Sequence, residues 1–228
     1  ITIVPRALPD RMPVVMWGLG SAPSITAEMD RLTDIGFTHC LGLRADYAEI
    51  FQAGRPLPAT RADRIAENKK LLNLALAHDV RLVSNLAPGR WARALKDFQR
   101  VDRQGRPYAR HDVVGLHPEI QKFCENVGRS ILDTYGDFPA FDAALIHSEV
   151  RGESQVSFTP VESKAYRQAT GREIPPEVRV KNGVEYGRLK GFPKDRIIPD
   201  NHPILKYYQW FWADGDGWNG LHSAVHRG

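Results

Sequence analysis

Short apolar runs alternate with segments of helical spacing along this 228-residue chain. The runs cover residues 14–20, 37–43, 81–87 and 141–146, and glycine or proline bounds most of them. Apolar runs of about 4–8 residues are typical of strands buried on both faces of a sheet. Strand–helix units in succession imply parallel strands joined by right-handed crossovers. The sequence therefore predicts an α/β fold with a parallel sheet.

Helix start and stop signals separate these runs. Ser24 is a good N-cap, and Gly36 follows the last apolar position of the same segment. Helices are also predicted over 61–78 and over 118–135, the latter starting at a proline and followed by a glycine. A final helical region begins at Pro203. The connection between the second run and residue 61 is rich in glycine and proline, which predicts a loop.

Two architectures fit such units. A doubly wound sheet usually carries a Gly-rich phosphate-binding turn, but Gly18-Leu19-Gly20-Ser21 matches GxGxxG only as far as its second glycine, which disfavours nucleotide binding. In a (β/α)8 barrel, function lies on the loops after the strands, and the longest insertions, 88–116 and 154–202, both follow strands. The prediction is a TIM-type barrel of which about four β/α units are present.

Residues 1–228 are accordingly interpreted as a single TIM-barrel catalytic domain, the N-terminal portion of a longer chain. The sequence starts at Ile1 without an initiator Met and stops at Gly228 shortly after an apolar segment of helical spacing. We interpret both ends as cuts and expect the remaining half of the barrel to come from the same or another chain. Removal of a leader would favour the periplasm or the outside of the cell, and a cytoplasmic location stays open as the alternative.

Charge and composition exclude several classes of partner. Lys and Arg number 31 against 27 Asp and Glu, and no basic run is longer than two residues, so no nucleic-acid-binding arm is predicted. No apolar stretch approaches the roughly 20 residues that span a bilayer. The two cysteines lie in apolar stretches outside any CxxC or Cys/His cluster, which predicts small buried residues rather than metal ligands. No cofactor is expected.

Glu149 is the strongest candidate for catalysis. It follows the apolar run that ends at Ile146, where a barrel would present it at the catalytic face. A carboxylic acid desolvated there has a raised pKa and can act as a general acid toward a leaving oxygen. Glu153 is the second candidate, and an ion pair between Glu149 and Arg151 is the structural alternative.

Aromatic residues lie on or after the first three predicted strands. Aromatic faces stack on the CH-rich sides of sugar rings. Three such residues at successive strand ends would ring one barrel mouth, although each alone is more typical of a core. They are Trp17, Tyr47 and Trp91.

Polar residues near the strand ends are further candidates for substrate binding. Arg44 could bind a carboxylate or orient a catalytic glutamate, with a structural ion pair as the alternative. Asn85 and His39 could hydrogen-bond a substrate, with a satisfied core residue as the alternative. His117, in the loop before the helix over 118–135, is a candidate contact of lower specificity.

Several motifs carry a resemblance to a known group of enzymes. They are the first strand 14–19, the loop 101–107 leading to 116–120, the fourth strand followed by a glutamate, and the segment 166–175. In this order they resemble the N-terminal half of a clan A glycoside hydrolase, especially the β-galactosidase-like barrels of family 42. The resemblance implies that the glutamate protonates the glycosidic oxygen and later activates water, while the nucleophile comes from a seventh strand outside this sequence.

The resemblance also bears on substrate and function. In the clan an Asn usually precedes the acid/base, whereas Ser148 precedes Glu149 here, so Ser148 joins the candidate substrate contacts. The expected function is retaining hydrolysis of glycosidic bonds in oligo- or polysaccharides, with a carbohydrate as the partner and without nucleic acid, membrane or metal. Two alternatives stay open. One is a catalytically inactive carbohydrate-binding barrel, and the other is a different TIM-barrel enzyme such as an isomerase, an aldolase or a metal-dependent hydrolase.

Overall fold

The computed structural model describes residues 12–109, 112–146, 156–174 and 203–213. These residues form an α/β structure around a sheet of four parallel strands in the order β1-β2-β3-β4. Each strand therefore lies beside the next one along the chain, and the predicted α/β class with a parallel sheet is confirmed. The strands are β1 (Val15–Met16), β2 (His39–Leu41), β3 (Arg81–Leu86) and β4 (Phe141–Ile146).

Helices follow or connect the strands. The predicted helix over 61–78 is present with its ends shifted by one residue, and the helix over 118–135 has the predicted bounds. The final helix begins at Pro203 as predicted. The helices are α1 (Ala22–Ala27), α2 (Met29–Asp34), α3 (Tyr47–Ala53), α4 (Ala62–Ala77), α5 (Pro88–Ala92), α6 (Pro118–Tyr135), α7 (Pro160–Thr170) and α8 (Pro203–Ala213), with a 3₁₀ turn at Lys96–Phe98.

Two predictions about local structure are wrong. The helix predicted after Ser24 is two short helices separated at Glu28. Its N-cap is Ser21 rather than Ser24, since the Ser21 side chain accepts a hydrogen bond from the Ser24 backbone N–H. The loop predicted after β2 contains helix α3, which stops where Gly54 takes a left-handed conformation with φ +62°. The glycine and the prolines that predicted a loop lie after α3, so they mark the end of this short helix rather than the absence of one.

The edge strands are less buried than predicted. Val15 in β1 is 41% exposed, and residues 142–144 of β4 are exposed. These strands form the two edges of the sheet in the described part of the chain, so each has a neighbour on one side only. Three large apolar side chains are exposed as well, each in or just after the last turn of its helix: Ile35, Leu76 and Leu132.

The chain divides into two compact units, and the first comprises Ile1–Asp46, Leu57–Leu86 and Ser130–Leu145. This unit contains the sheet together with α1, α2 and α4. A Cβ on Gly42 would lie 3.0 Å from Ile25 Cδ1 and 4.0 Å from Leu71 Cδ2, so this glycine allows α1 and α4 to approach the end of β2. Leu72 and Leu82 are completely buried in the same unit.

The second unit comprises Tyr47–Pro56, Ala87–Arg129 and Ile146–Gly228. Two groups of aromatic side chains pack inside it. The first, here called the α3–α6 aromatic cluster, contains Tyr47, Phe51, Trp91, Phe98, His117 and Phe123. The second lies between α7 and α8 and contains Phe158, Tyr166, Tyr207, Tyr208, Trp210 and Phe211.

Both cysteines are buried, as predicted, with Cys40 in the first unit and Cys124 in the second. Burial raises the pKa of the Cys40 thiol to about 11, so it stays protonated near neutral pH. Within the described ranges, none of the helices combines the length and the apolar character that crossing a bilayer requires.

Leu72 and Leu76 allow a direct test of the core, because they lie one turn apart on α4 and differ in exposure, 0% against 47%. We expect Leu72→Ala to lower the free energy of unfolding by about 2–5 kcal/mol by opening a cavity, and Leu76→Ala to lower it by less than about 1 kcal/mol. Urea denaturation followed by circular dichroism measures both changes. Equal losses in the two variants would contradict the described packing of α4.

Candidate functional site

A cleft of about 360 Å³ opens in the first unit, next to the loops that follow β1 and β2. Clefts outside the carboxyl ends of parallel strands are common ligand sites in α/β proteins. This cleft is lined by the loop after β1, the start of α1, the loop after β2, the residue before the N-cap of α4 and the first half of α4. We call it the Arg44 cleft, and its lining residues are Gly20, Ser21, Ala22, Pro23, Gly42, Arg44, Asp46, Thr60, Arg64, Glu67 and Asn68.

The loop after β2 is tied to the start of α4. The Asp46 backbone N–H donates to the Ala59 carbonyl at 2.7 Å, and the Thr60 hydroxyl donates to the Asp46 carboxylate at 2.7 Å. Asp46 therefore has a fixed orientation at the edge of the cleft, with one of its oxygens already bonded.

Asn68 connects the cleft to the core of the first unit. Its side-chain amide donates to the Tyr135 hydroxyl at 2.8 Å, and Tyr135 is completely buried. Burial raises the pKa of Tyr135, the hydrogen bond from Asn68 lowers it in part, and the charge of Asp46 raises it further. The net effect is a raised pKa, so Tyr135 stays a neutral phenol that holds Asn68 in place.

Two arginines supply positive charge to the cleft. Arg44 and Arg64 form no ion pair with any carboxylate in the described ranges. Arg61, the N-cap residue of α4, does form an ion pair, since its guanidinium lies 3.2 Å from the Asp63 carboxylate. The Arg44 guanidinium also occupies space that a side chain at position 20 would take, because a Cβ on Gly20 would lie 2.7 Å from Arg44 Nη2.

This arrangement suits binding of a polar ligand. Guanidinium groups donate bidentate hydrogen bonds to carboxylates and phosphates, and the oxygens of Asp46, Glu67 and Asn68 can accept hydrogen bonds from hydroxyl groups. Among the described residues, no group of three or more His, Cys, Asp or Glu side chains is placed to hold a metal ion.

Among the residues predicted to contact substrate, Arg44 lines the cleft, while Trp17 and Asn85 lie elsewhere in the first unit. Trp17 follows β1 and is 64% exposed. Asn85 lies within β3, and its backbone N–H donates to the Leu43 carbonyl at 3.2 Å. His39 Nε2 lies 3.3 Å from Asp142 Oδ2, so its ring has a protein partner in β4.

The structure brings Tyr47, Trp91 and His117 into the α3–α6 aromatic cluster of the second unit. The ring centroids of Tyr47 and Trp91 are 6.5 Å apart, and the Tyr47 hydroxyl accepts a hydrogen bond from the Ala87 N–H at 2.8 Å. The His117 ring lies 4.6 Å from that of Phe98. These three side chains therefore pack against other aromatic rings, as expected of core residues. Ser148, Glu149 and Glu153 lie outside the described residues.

Most of the polar lining of the cleft was not predicted. Arg64, Glu67 and Asn68 are spaced so that they share one face of α4, a pattern that is visible in the sequence, and Thr60 lies just before the helix. A polar helix face is normally a solvated one, so the pattern by itself does not indicate a site. Asp46 lies two positions after Arg44, which was predicted to contact substrate, and this proximity was the clearest sequence signal for the polar lining.

The loop 101–107 that contributes to the resemblance is a self-contained turn closed by an antiparallel bridge between Val101 and Pro107. Asp102 accepts hydrogen bonds from the Gln104 N–H at 2.8 Å and from the Arg106 backbone N–H at 3.0 Å, and its other oxygen accepts from Arg106 Nε at 2.9 Å. Burial by itself would raise the pKa of Asp102, but these hydrogen bonds and the charge of Arg106 lower it below its ordinary value.

Comparison with known proteins assigns no family to the chain, since no protein-family model matches it and a search of curated proteins finds no match.

Asp102→Asn tests the turn. Because folding lowers the pKa of Asp102, the carboxylate stabilises the fold above its ordinary pKa of about 3.9, and this contribution is lost as the pH falls through the lower pKa of the folded state. We expect the variant to be less stable by about 1–2 kcal/mol at neutral pH, with the difference shrinking below about pH 4.

Urea denaturation at a series of pH values measures this difference. Asp97→Asn is the matched control, because Asp97 is exposed and lies in the neighbouring 3₁₀ turn. A loss for Asp102→Asn that is the same at pH 3 and pH 7 would contradict the role assigned to the carboxylate.

Proposed function

We propose that this chain forms about four β/α units of a TIM-barrel glycoside hydrolase, with Glu149 as its general acid/base. The supporting observation is the strand order. Four parallel strands follow one another side by side, as they do around a (β/α)8 barrel, whereas a doubly wound sheet changes direction at a switch point. β4 is the fourth of these strands, and Glu149 follows its last residue, Ile146, by three positions.

Exposure at the sheet edges is consistent with a barrel that has further strands. Val15 is 41% exposed and residues 142–144 are exposed, although parallel sheets are usually covered on both faces. Unpaired edge strands also present free backbone groups that need a cover. In the proposal, the remaining strands from the same or another chain pair with these edges.

The proposed chemistry assigns two successive roles to Glu149. As an acid it donates its proton to the glycosidic oxygen while the bond to the anomeric carbon breaks. As a carboxylate it then takes a proton from the water that attacks the glycosyl–enzyme ester. That ester requires a nucleophilic carboxylate about 5–5.5 Å away, which in this proposal comes from outside the present sequence. Glu153 is the alternative acid, and Ser148, Trp17 and Asn85 are proposed substrate contacts.

Glu149→Gln in the intact protein tests the proposal with a panel of glycosides. We expect turnover of natural oligosaccharides to fall by about 10²–10⁴-fold, because the leaving oxygen is no longer protonated. Nitrophenyl glycosides, whose leaving groups need little protonation, should show a smaller loss in the glycosylation step. The ratio of kcat/KM between the two substrate classes is the measurement.

Glu173→Gln is the control, because Glu173 is exposed and pairs with exposed Arg167 at 2.9 Å. Unchanged turnover in Glu149→Gln would overturn the assignment, and a selective loss in Glu153→Gln would move the acid to that residue. Carbohydrate binding without any turnover would instead support an inactive binding barrel.

A further inference from the structure

No step of the proposed hydrolysis is assigned to the Arg44 cleft, although two arginines and two carboxylates line it. We propose that it binds a small polyhydroxylated anion, a uronate or a sugar phosphate, with the carboxylate or phosphate held by Arg44 and Arg64. This site belongs to the first unit and does not depend on Glu149.

The anionic part of the ligand is inferred from the two guanidinium groups. Both line the cleft and neither pairs with a carboxylate in the part of the chain that the structure describes. The Asp46 carboxylate lines the same cleft and accepts the Thr60 hydroxyl on one oxygen, without forming an ion pair with either arginine. Two guanidinium groups facing one cavity favour an acceptor with several charged oxygens, because each can donate a bidentate pair of hydrogen bonds.

The position of α4 strengthens the same preference. Thr60 lies just before this 16-residue helix and Arg64 lies in its first turn, and the N-cap residue Arg61 makes no side-chain capping bond. The N-terminal end of a helix carries partial positive charge. A bound anion at this end of the cleft therefore gains from the helix as well as from the arginines.

The hydroxyl part of the ligand is inferred from the acceptors that share the cleft. Asp46, Glu67 and Asn68 can accept hydrogen bonds from hydroxyls, and Ser21 can donate or accept one. The volume of about 360 Å³ lies at the lower end of the range for small-molecule sites. A single sugar ring with one anionic substituent fits both the size and the mixture of donors and acceptors.

A substitution at Gly20 changes the position of the Arg44 side chain without replacing Arg44 itself. A Cβ at this position would lie 2.7 Å from Arg44 Nη2, so Gly20→Ala must displace the guanidinium while leaving both charges in the protein. Gly18→Ala is the matched control, because the nearest atom to its Cβ would be Met16 Sδ at 3.9 Å. Neither glycine has a positive φ, so alanine is compatible with the backbone at both positions.

Isothermal titration calorimetry of the intact chain tests the proposal. The probes are glucuronate, galacturonate, the 6-phosphates of glucose and galactose, inorganic phosphate, and the two neutral sugars. We expect at least one sugar anion to bind, and the corresponding neutral sugar to bind at least about tenfold more weakly. Binding of the uronates or of the sugar phosphates identifies which anionic group the cleft selects.

Variants then assign the binding to the cleft. Arg44→Gln and Arg64→Gln should each weaken binding of the sugar anion by about 10- to 100-fold, and Gly20→Ala should weaken it in the same direction. Arg61→Gln should change it by less than about twofold, because Arg61 pairs with Asp63 and does not line the cleft. Thermal melts by circular dichroism confirm that each variant is folded.

Three results would overturn the proposal. The first is no binding of any sugar anion at concentrations up to about 10 mM. The second is an equal loss in Arg61→Gln and Arg44→Gln, which would indicate general attraction by a basic surface. The third is equal affinity within one of two pairs of probes. Equal affinity for inorganic phosphate and the sugar phosphates would show that the hydroxyl groups do not contribute to recognition. Equal affinity for anionic and neutral sugars would show that the charge does not contribute.

Discussion

The close contact between α1 and the end of β2 depends on the missing side chain of Gly42. A Cβ there would lie 3.0 Å from Ile25 Cδ1, so a larger residue would push the helix away from the sheet. α1 and α4 pack against each other above this strand, and the loop after β2 runs past the first turns of α4. This loop places Asp46 within hydrogen-bond distance of Thr60 and Arg44 beside Gly20. Gly42 itself lines the Arg44 cleft, so the closely packed helix–strand contact lies directly beside the cleft.

Elements with strong local signals were predicted well from the sequence. α6 begins at Pro118 and is followed by Gly136, and α4 has an apolar stripe over its length, so their bounds were within one residue of the prediction. α3 was missed because the glycine and prolines that follow it dominate the local composition. The burial of β1 and β4 was overestimated because exposure depends on what covers the edges of a sheet, and an apolar run carries no information about that.

The candidate site could be predicted only in part. Arg44 was singled out by its position after a predicted strand, but Arg64 and Asn68 line the same cleft from α4, 20 or more residues further along the chain. The spacing of residues in the sequence does not show that the loop after β2 and α4 become neighbours, because that depends on how the helix packs against the sheet. The aromatic candidates show the converse problem, because the apolar area that lets Tyr47 and Trp91 stack on a sugar also lets them pack in the α3–α6 aromatic cluster.

The two buried thiols can be used to measure how often each part of the structure opens. A thiol reagent can reach Cys40 or Cys124 only when the structure around that cysteine opens. One thiol lies in each compact unit. The labelling rates of the two cysteines, followed separately by mass spectrometry, would therefore show whether the sheet unit and the aromatic unit unfold together or as independent cooperative blocks.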